Sequence, residues 1–212
     1  MANVVGEKIV GGVNAEEGEA PFQVQLFRKT WSSASFLCGG SLISPRTVLS
    51  AGHCVTNSYY GVRYGSNSRL KSPYPELSLR TIIQHPNFTL ATVQNDIALF
   101  ILENAIQPGA NVRAVELHTE ELAEKDNMTL FGFGLVNGVG FKPAFNLQKA
   151  DMQIVGEKEC AEFIEKLDLG DSGGPLIAKE SGRQAGVVSF GTRFCPEGSI
   201  NVYTKGTSCK VN

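Results

Sequence analysis

Apolar positions along this chain cluster in short runs, at residues 22–27, 47–51, 97–102, 128–133, 150–155, 176–178, 185–190 and 200–204, interrupted by Gly, Pro, Asn and Ser. Their length, β-branched content and intervening turn residues predict strands. Many short strands at turn-length intervals predict an all-β sandwich or barrel. A helical pattern is confined to 119–126 and 156–166. A turn signal at Ile106-Gln107-Pro108-Gly109 follows a strongly apolar strand and divides the chain into halves of similar length. A site shared by the two halves would sit in the cleft between them.

Composition narrows the function classes. A chain of 212 residues can bury one generous core or two small ones. Its net charge of -2 gives no electrostatic ground for binding nucleic acid or an anionic membrane. No apolar run approaches the ~18 residues of a membrane span. Residues 1–8 lack the apolar core of a signal peptide, which reads as a shortened start. Five cysteines are present, Cys38, Cys54, Cys160, Cys195 and Cys209, and none has zinc-finger spacing, so no metal is expected. In a secreted chain an odd count leaves at least one thiol free or paired between molecules. Two triplets that allow glycosylation, Asn87-Phe88-Thr89 and Asn127-Met128-Thr129, match a chance expectation of about two and so show nothing.

The run Gly170-Asp171-Ser172-Gly173-Gly174-Pro175 sets a serine among glycines. A serine hydroxyl is a weak nucleophile that needs a base in hydrogen-bond reach and a third group to orient that base. Candidates are His53, in Leu49-Ser50-Ala51-Gly52-His53-Cys54, and Asp96, in Asn95-Asp96-Ile97-Ala98-Leu99. Asp96 leads into an apolar strand, whereas Asp126, Asp151 and Asp168 do not, and only a buried carboxylate strongly orients an imidazole. His85 and His118 fall in a loop and a linker and read as structural or solvated.

Together with Ile9-Val10-Gly11-Gly12, these motifs resemble the trypsin/chymotrypsin-like serine endopeptidases, over residues 9–205. The order His, Asp, Ser is that family's. The resemblance implies an all-β fold of two Greek-key antiparallel barrels, 9–108 and 109–212, with the site between them and 1–8 as the remnant of an activation segment. It implies Ser172 as nucleophile, His53 as general base and Asp96 as its orienting carboxylate, with the N–H groups of Gly170 and Ser172 as the oxyanion hole. Ser189, Phe190 and Gly191 would pair with the substrate backbone, though the family usually has Trp where Phe190 stands. Cleavage after Lys8 would free the Ile9 ammonium to pair with Asp171. Cys38 and Cys54 would form a disulfide bracing the His53 loop. Implied partners are protein or peptide substrates, protease inhibitors and an activating trypsin-like protease; the protein would be an extracellular monomer without cofactor. The region 59–80, where some relatives hold calcium, offers one carboxylate, Glu76, too few for that ion.

The pattern departs from the family in the second half. Only eleven residues separate Cys160 from Ser172, where the family has a longer, cysteine-bearing segment that forms the primary specificity pocket. A gapless count would put Lys166 at the pocket base and Asp168 where a cysteine is usual, but a deletion fits better. Asn201 stands where the family usually has Gly, narrowing the slot, and the usual terminal helix is missing. These departures leave a second reading open: a catalytically impaired homologue acting as a binding or decoy protein.

Overall fold

The computed structural model describes residues 12–134, 144–154, 167–168, 172–192 and 202–205. Among them, the regular structure is strand apart from one 3-10 turn at Gly52–Cys54. The first half contributes β2 (Gln23–Lys29), β3 (Ala34–Ser44), β4 (Thr47–Ser50), β5 (Tyr59–Tyr64), β6 (Leu79–Gln84) and β7 (Ala98–Leu102). They form one antiparallel sheet in the order β5-β2-β3-β4-β7-β6. Two backbone hydrogen bonds between Val62 and Leu77, 2.9 and 3.0 Å, join β5 to the segment entering β6 and draw the sheet's two edges together.

Alternation explains which faces turn inward. In β7, Ala98, Phe100 and Leu102 are buried while Leu99 and Ile101 are half-buried, the period-2 pattern of a pleated strand. Val24 and Leu26 from β2, Val48 from β4 and Val62 from β5 meet them in one core.

The second sheet is built from β8 (Asn127–Gly132), β9 (Gln148–Gln153), β10 (Leu167–Asp168), β11 (Pro175–Ala178), β12 (Gln184–Thr192) and β13 (Val202–Lys205). Its order is β9-β8-β11-β12-β10, with β13 also on β12, and β1 (Val13–Asn14) crosses from the first half to pair with β9. Met128, Leu130, Leu176 and Val188 fill its core.

A third cluster joins the halves: Phe22, Phe131, Phe133, Leu147 and Ile177 pack with Phe36 and Ile43. The Phe36 and Phe133 rings meet edge to face at 5.8 Å, and Ser41 donates to Gln184 across the same seam at 2.5 Å.

One expectation fails. Residues 119–126 form a loop with a turn, not a helix. The Ala123 N–H bonds the Asp126 carboxylate at 2.7 Å, and the Lys125 N–H bonds the Ile154 carbonyl at 2.9 Å with Lys125 at φ 70°. Side-chain and tertiary partners thus take the backbone groups a helix would need. The other helical pattern, 156–166, lies outside the described residues.

Candidate active site

His53 sits in the 3-10 turn that follows β4. The turn is pinned from two sides. Gln84, at the end of β6, donates to the Gly52 carbonyl at 2.8 Å. The Cys38–Cys54 disulfide ties the turn to β3. Gly52 is there for closeness: a Cβ on it would stand 3.2 Å from Asp96 Oδ1 and 3.1 Å from the Phe88 ring.

Asp96 lies two residues before β7 and is 0% exposed. Its Oδ1 accepts the His53 backbone N–H at 2.7 Å, and its Oδ2 takes the His53 imidazole Nδ1 at 2.7 Å. The Ser189 hydroxyl, itself buried in β12, donates to the same Oδ2. A buried carboxylate is costly unless its lone pairs are filled, and here three donors fill them. With a carboxylate as partner, Nδ1 carries the proton and Nε2 is left as the basic nitrogen. Nε2 faces the disulfide, 3.8 Å from Cys54 Sγ.

Ser172 begins the turn that leads into β11. Its carbonyl accepts the Gly39 N–H of β3 at 3.0 Å, while the Gly173 N–H bonds the Val188 carbonyl of β12 at 2.8 Å. The serine's backbone is therefore held by both halves. Gly173 has φ +84°, and a Cβ there would lie 2.2 Å from Ser50 Oγ and 2.5 Å from the Gly39 carbonyl. Only glycine meets both demands, conformation and contact. This contact sets the Ser172 turn directly on Ser50 and Ala51, the residues that lead into the His53 turn.

The expected Cys38–Cys54 pairing is present. Phe190 and Gly191 lie in β12, opposite Val202 and Asp168 respectively. Ile9, Gly170, Asp171, Asn201, Lys166, Cys160, Cys195 and Cys209 lie outside the described residues. Glu76, the lone carboxylate of the 59–80 region, is taken by Lys29 at 2.5 Å and Arg63 at 2.9 Å. Cys38, His53 and Cys54 bring three potential metal-ligating atoms together, but both sulfurs are committed to the disulfide.

Sequence reasoning missed two contributors. Besides the backbone role implied for Ser189, its side chain points at Asp96. Gly39 received no role, although the Gly39-Gly40 doublet inside an apolar strand signals a close backbone approach.

The trypsin family model matches residues 9–210. Human serine protease 1 is 32% identical over 218 residues, covering 94% of this chain and 85% of that protein. Chicken (Gallus gallus) trypsin II-P29 gives the same identity and coverage. The bovine (Bos taurus) suppressor of tumorigenicity 14 protein homolog is 31% identical over 93% of this chain and 27% of its own length. Among solved structures, neuropsin, a serine protease expressed in the limbic system of mouse brain, superposes with a TM-score of 0.80 at 27% identity, covering 92% of this chain and 93% of that one. The chain belongs to the trypsin family of serine-type endopeptidases.

Proposed function

We propose that this protein is a secreted endopeptidase that hydrolyses peptide bonds in proteins through Ser172, His53 and Asp96, made as a zymogen and activated by cleavage after Lys8. The observation that carries the reading is the fully buried Asp96 carboxylate, gripping His53 at both backbone and ring.

In this reading His53 Nε2 takes the Ser172 Oγ proton as the oxygen attacks the scissile carbonyl carbon. Asp96 stabilises the imidazolium without itself being protonated. The oxyanion is met by the Gly170 and Ser172 N–H groups, worth roughly 2.7–4 kcal/mol per donor in serine proteases themselves. Collapse expels the amine with the proton from His53, and water then hydrolyses the acyl-enzyme by the same route. In this reading an extended substrate adds as a strand along the backbone of 189–191. Activation frees the Ile9 ammonium to pair with Asp171. Protein inhibitors and a trypsin-like activator are the expected partners, and the chain acts as a monomer outside the cell, as trypsin-like proteases generally do.

Cleavage behind Lys8 followed by a fluorophosphonate probe tests this reading. Labelling at Ser172, absent in Ser172→Ala and strongly reduced in His53→Ala, is the expected result. A folded, cleaved protein that takes no label overturns it.

The second reading, an impaired homologue, is favoured by one observation. Within the segment between Cys160 and Ser172, β10 pairs Leu167 with Thr192 and Asp168 with Gly191, the last residue of the stretch assigned to substrate. Turnover of a peptide library by the activated chain rejects that reading.

A further inference from the structure

The two glycosylation triplets, indistinguishable in the sequence, stand in opposite structural settings. Asn127-Met128-Thr129 is strand: Asn127 opens β8 and pairs with Gln153 of β9, and its carbonyl accepts the Lys179 N–H at 2.9 Å. Asn127 is itself exposed, but Met128 is 0% exposed and the Asn127 Oδ1 accepts from Gln153 Nε2 at 3.2 Å. Asn87-Phe88-Thr89 lies in the loop between β6 and β7, with both Asn87 and Thr89 exposed. The Phe88 ring turns inward against Gly52, beside His53. The Asn87 carbonyl is held by the Asn95 side chain at 3.0 Å, and Thr89 meets Thr92 at 2.5 Å. The acceptor loop is thus anchored by its backbone and by Phe88, with its outer side chains directed to solvent.

We propose that Asn87 is an N-glycan acceptor and that its glycan stands on the wall of the active site, beside the His53 turn, while Asn127 is not modified. A glycan is bulky and hydrated, so the asparagine that carries it must end on the surface of the folded chain, as in an exposed loop. The transfer forms a bond from Asn87 Nδ2 to the anomeric carbon of a lipid-linked oligosaccharide. It breaks that carbon's bond to pyrophosphate oxygen, with loss of one amide proton and release of the lipid pyrophosphate. A bulky, hydrated group in that position obstructs folded proteins approaching His53 and spares short extended peptides. The inference rests on the secreted reading above, since only the secretory route supplies the donor.

The full chain, sent through the secretory pathway of a eukaryotic cell behind a supplied leader, is treated with peptide:N-glycosidase in heavy-oxygen water, which converts each glycosylated asparagine to labelled aspartate. Label at position 87 and none at 127 is expected. It should be lost in Asn87→Gln and Thr89→Ala and retained in Thr89→Ser. Secreted, folded protein without label at 87, or with label at 127, overturns the assignment. Asn87→Gln should also speed cleavage of a folded protein several-fold while leaving a short peptide unchanged; equal effects on both overturn the screening role. The mass readout does not involve catalysis, so a glycosylated but inert chain sinks the protease reading and leaves the glycan standing.

Discussion

Asp96 concentrates the chemistry of this molecule in one carboxylate, and its three donors do not contribute alike. The His53 Nδ1 bond fixes the tautomer, so replacing Asp96 by Asn inverts it: the amide can present a donor where an acceptor is needed. In serine proteases this substitution lowers kcat about 10⁴-fold. Ser189 acts one step removed, by holding Oδ2 in line with the ring. A hydrogen bond to a charged group contributes about 1.5–3 kcal/mol. Ser189→Ala should therefore lower kcat about tenfold or more, with KM little changed, if the substrate meets the backbone of this residue, as proposed, and not its hydroxyl. Steady-state kinetics on a short peptide ester separates the cases: a raised KM at constant kcat would place Ser189 in substrate binding alone. The candidates His53 and Asp96 could be read from motifs, since Gly52-His53 and Asn95-Asp96 carry their context with them. The aim of Ser189 could not, because a serine in a strand points to either face and only the fold decides which.

At the scale of elements, period and turn chemistry revealed the strands whose two faces differ. β7, with alternate residues buried, was plain in the sequence. β3 was not, although it is the longest strand, because Cys38-Gly39-Gly40-Ser41 breaks its apolar run. The glycines are there for neighbours the sequence cannot name: a Cβ on Gly40 would stand 2.9 Å from Val48, and one on Gly39 3.3 Å from Gly174. β6 escaped for another reason, since neither of its faces is fully buried. The clamp at Glu76 belongs to this scale too, because it ties β2, through Lys29, and β5, through Arg63, to the segment before β6. Burial pushes the Glu76 carboxyl up, but hydrogen bonds and charge from Lys29 and Arg63 outweigh it and hold the group below the ordinary glutamate value. A carboxyl whose folded value is depressed stabilises the fold above its unfolded pKa, about 4.3, and loses that contribution as pH falls through the folded value. Lys29 and Arg63 are partly exposed, so solvent screening limits the effect to about 1 kcal/mol or less. Thermal melts of wild type and Glu76→Gln should differ at neutral pH and converge as pH drops below about 4. A gap that persists unchanged in acid would show that Glu76 acts by packing over Gly61 and not by charge.

At the scale of the whole molecule, the candidate site draws on both halves. His53, Asp96 and the Gly39 N–H come from the first sheet and its loops, while Ser172 and Ser189 come from the second. Geometry at the site therefore depends on the seam where Phe36 meets Phe133 and Phe22 meets Phe131. Phe133 is 1% exposed, and truncating such a ring to Ala costs about 3–5 kcal/mol. Against a total stability of roughly 5–15 kcal/mol, that is a large share. For a chain of this size the midpoint should fall by about 6–20 °C. Because the seam belongs to both sheets, Phe133→Ala should keep a single unfolding transition, shifted down, when followed by calorimetry. Activity should fall well below that midpoint, since loosening the seam separates the Ser172 turn from Ser50 and Gly39 before either sheet melts. Two resolved transitions would mean that the halves stand independently, and the site would then owe its alignment to the contacts at Gly173 and Ser189 and not to the aromatic seam.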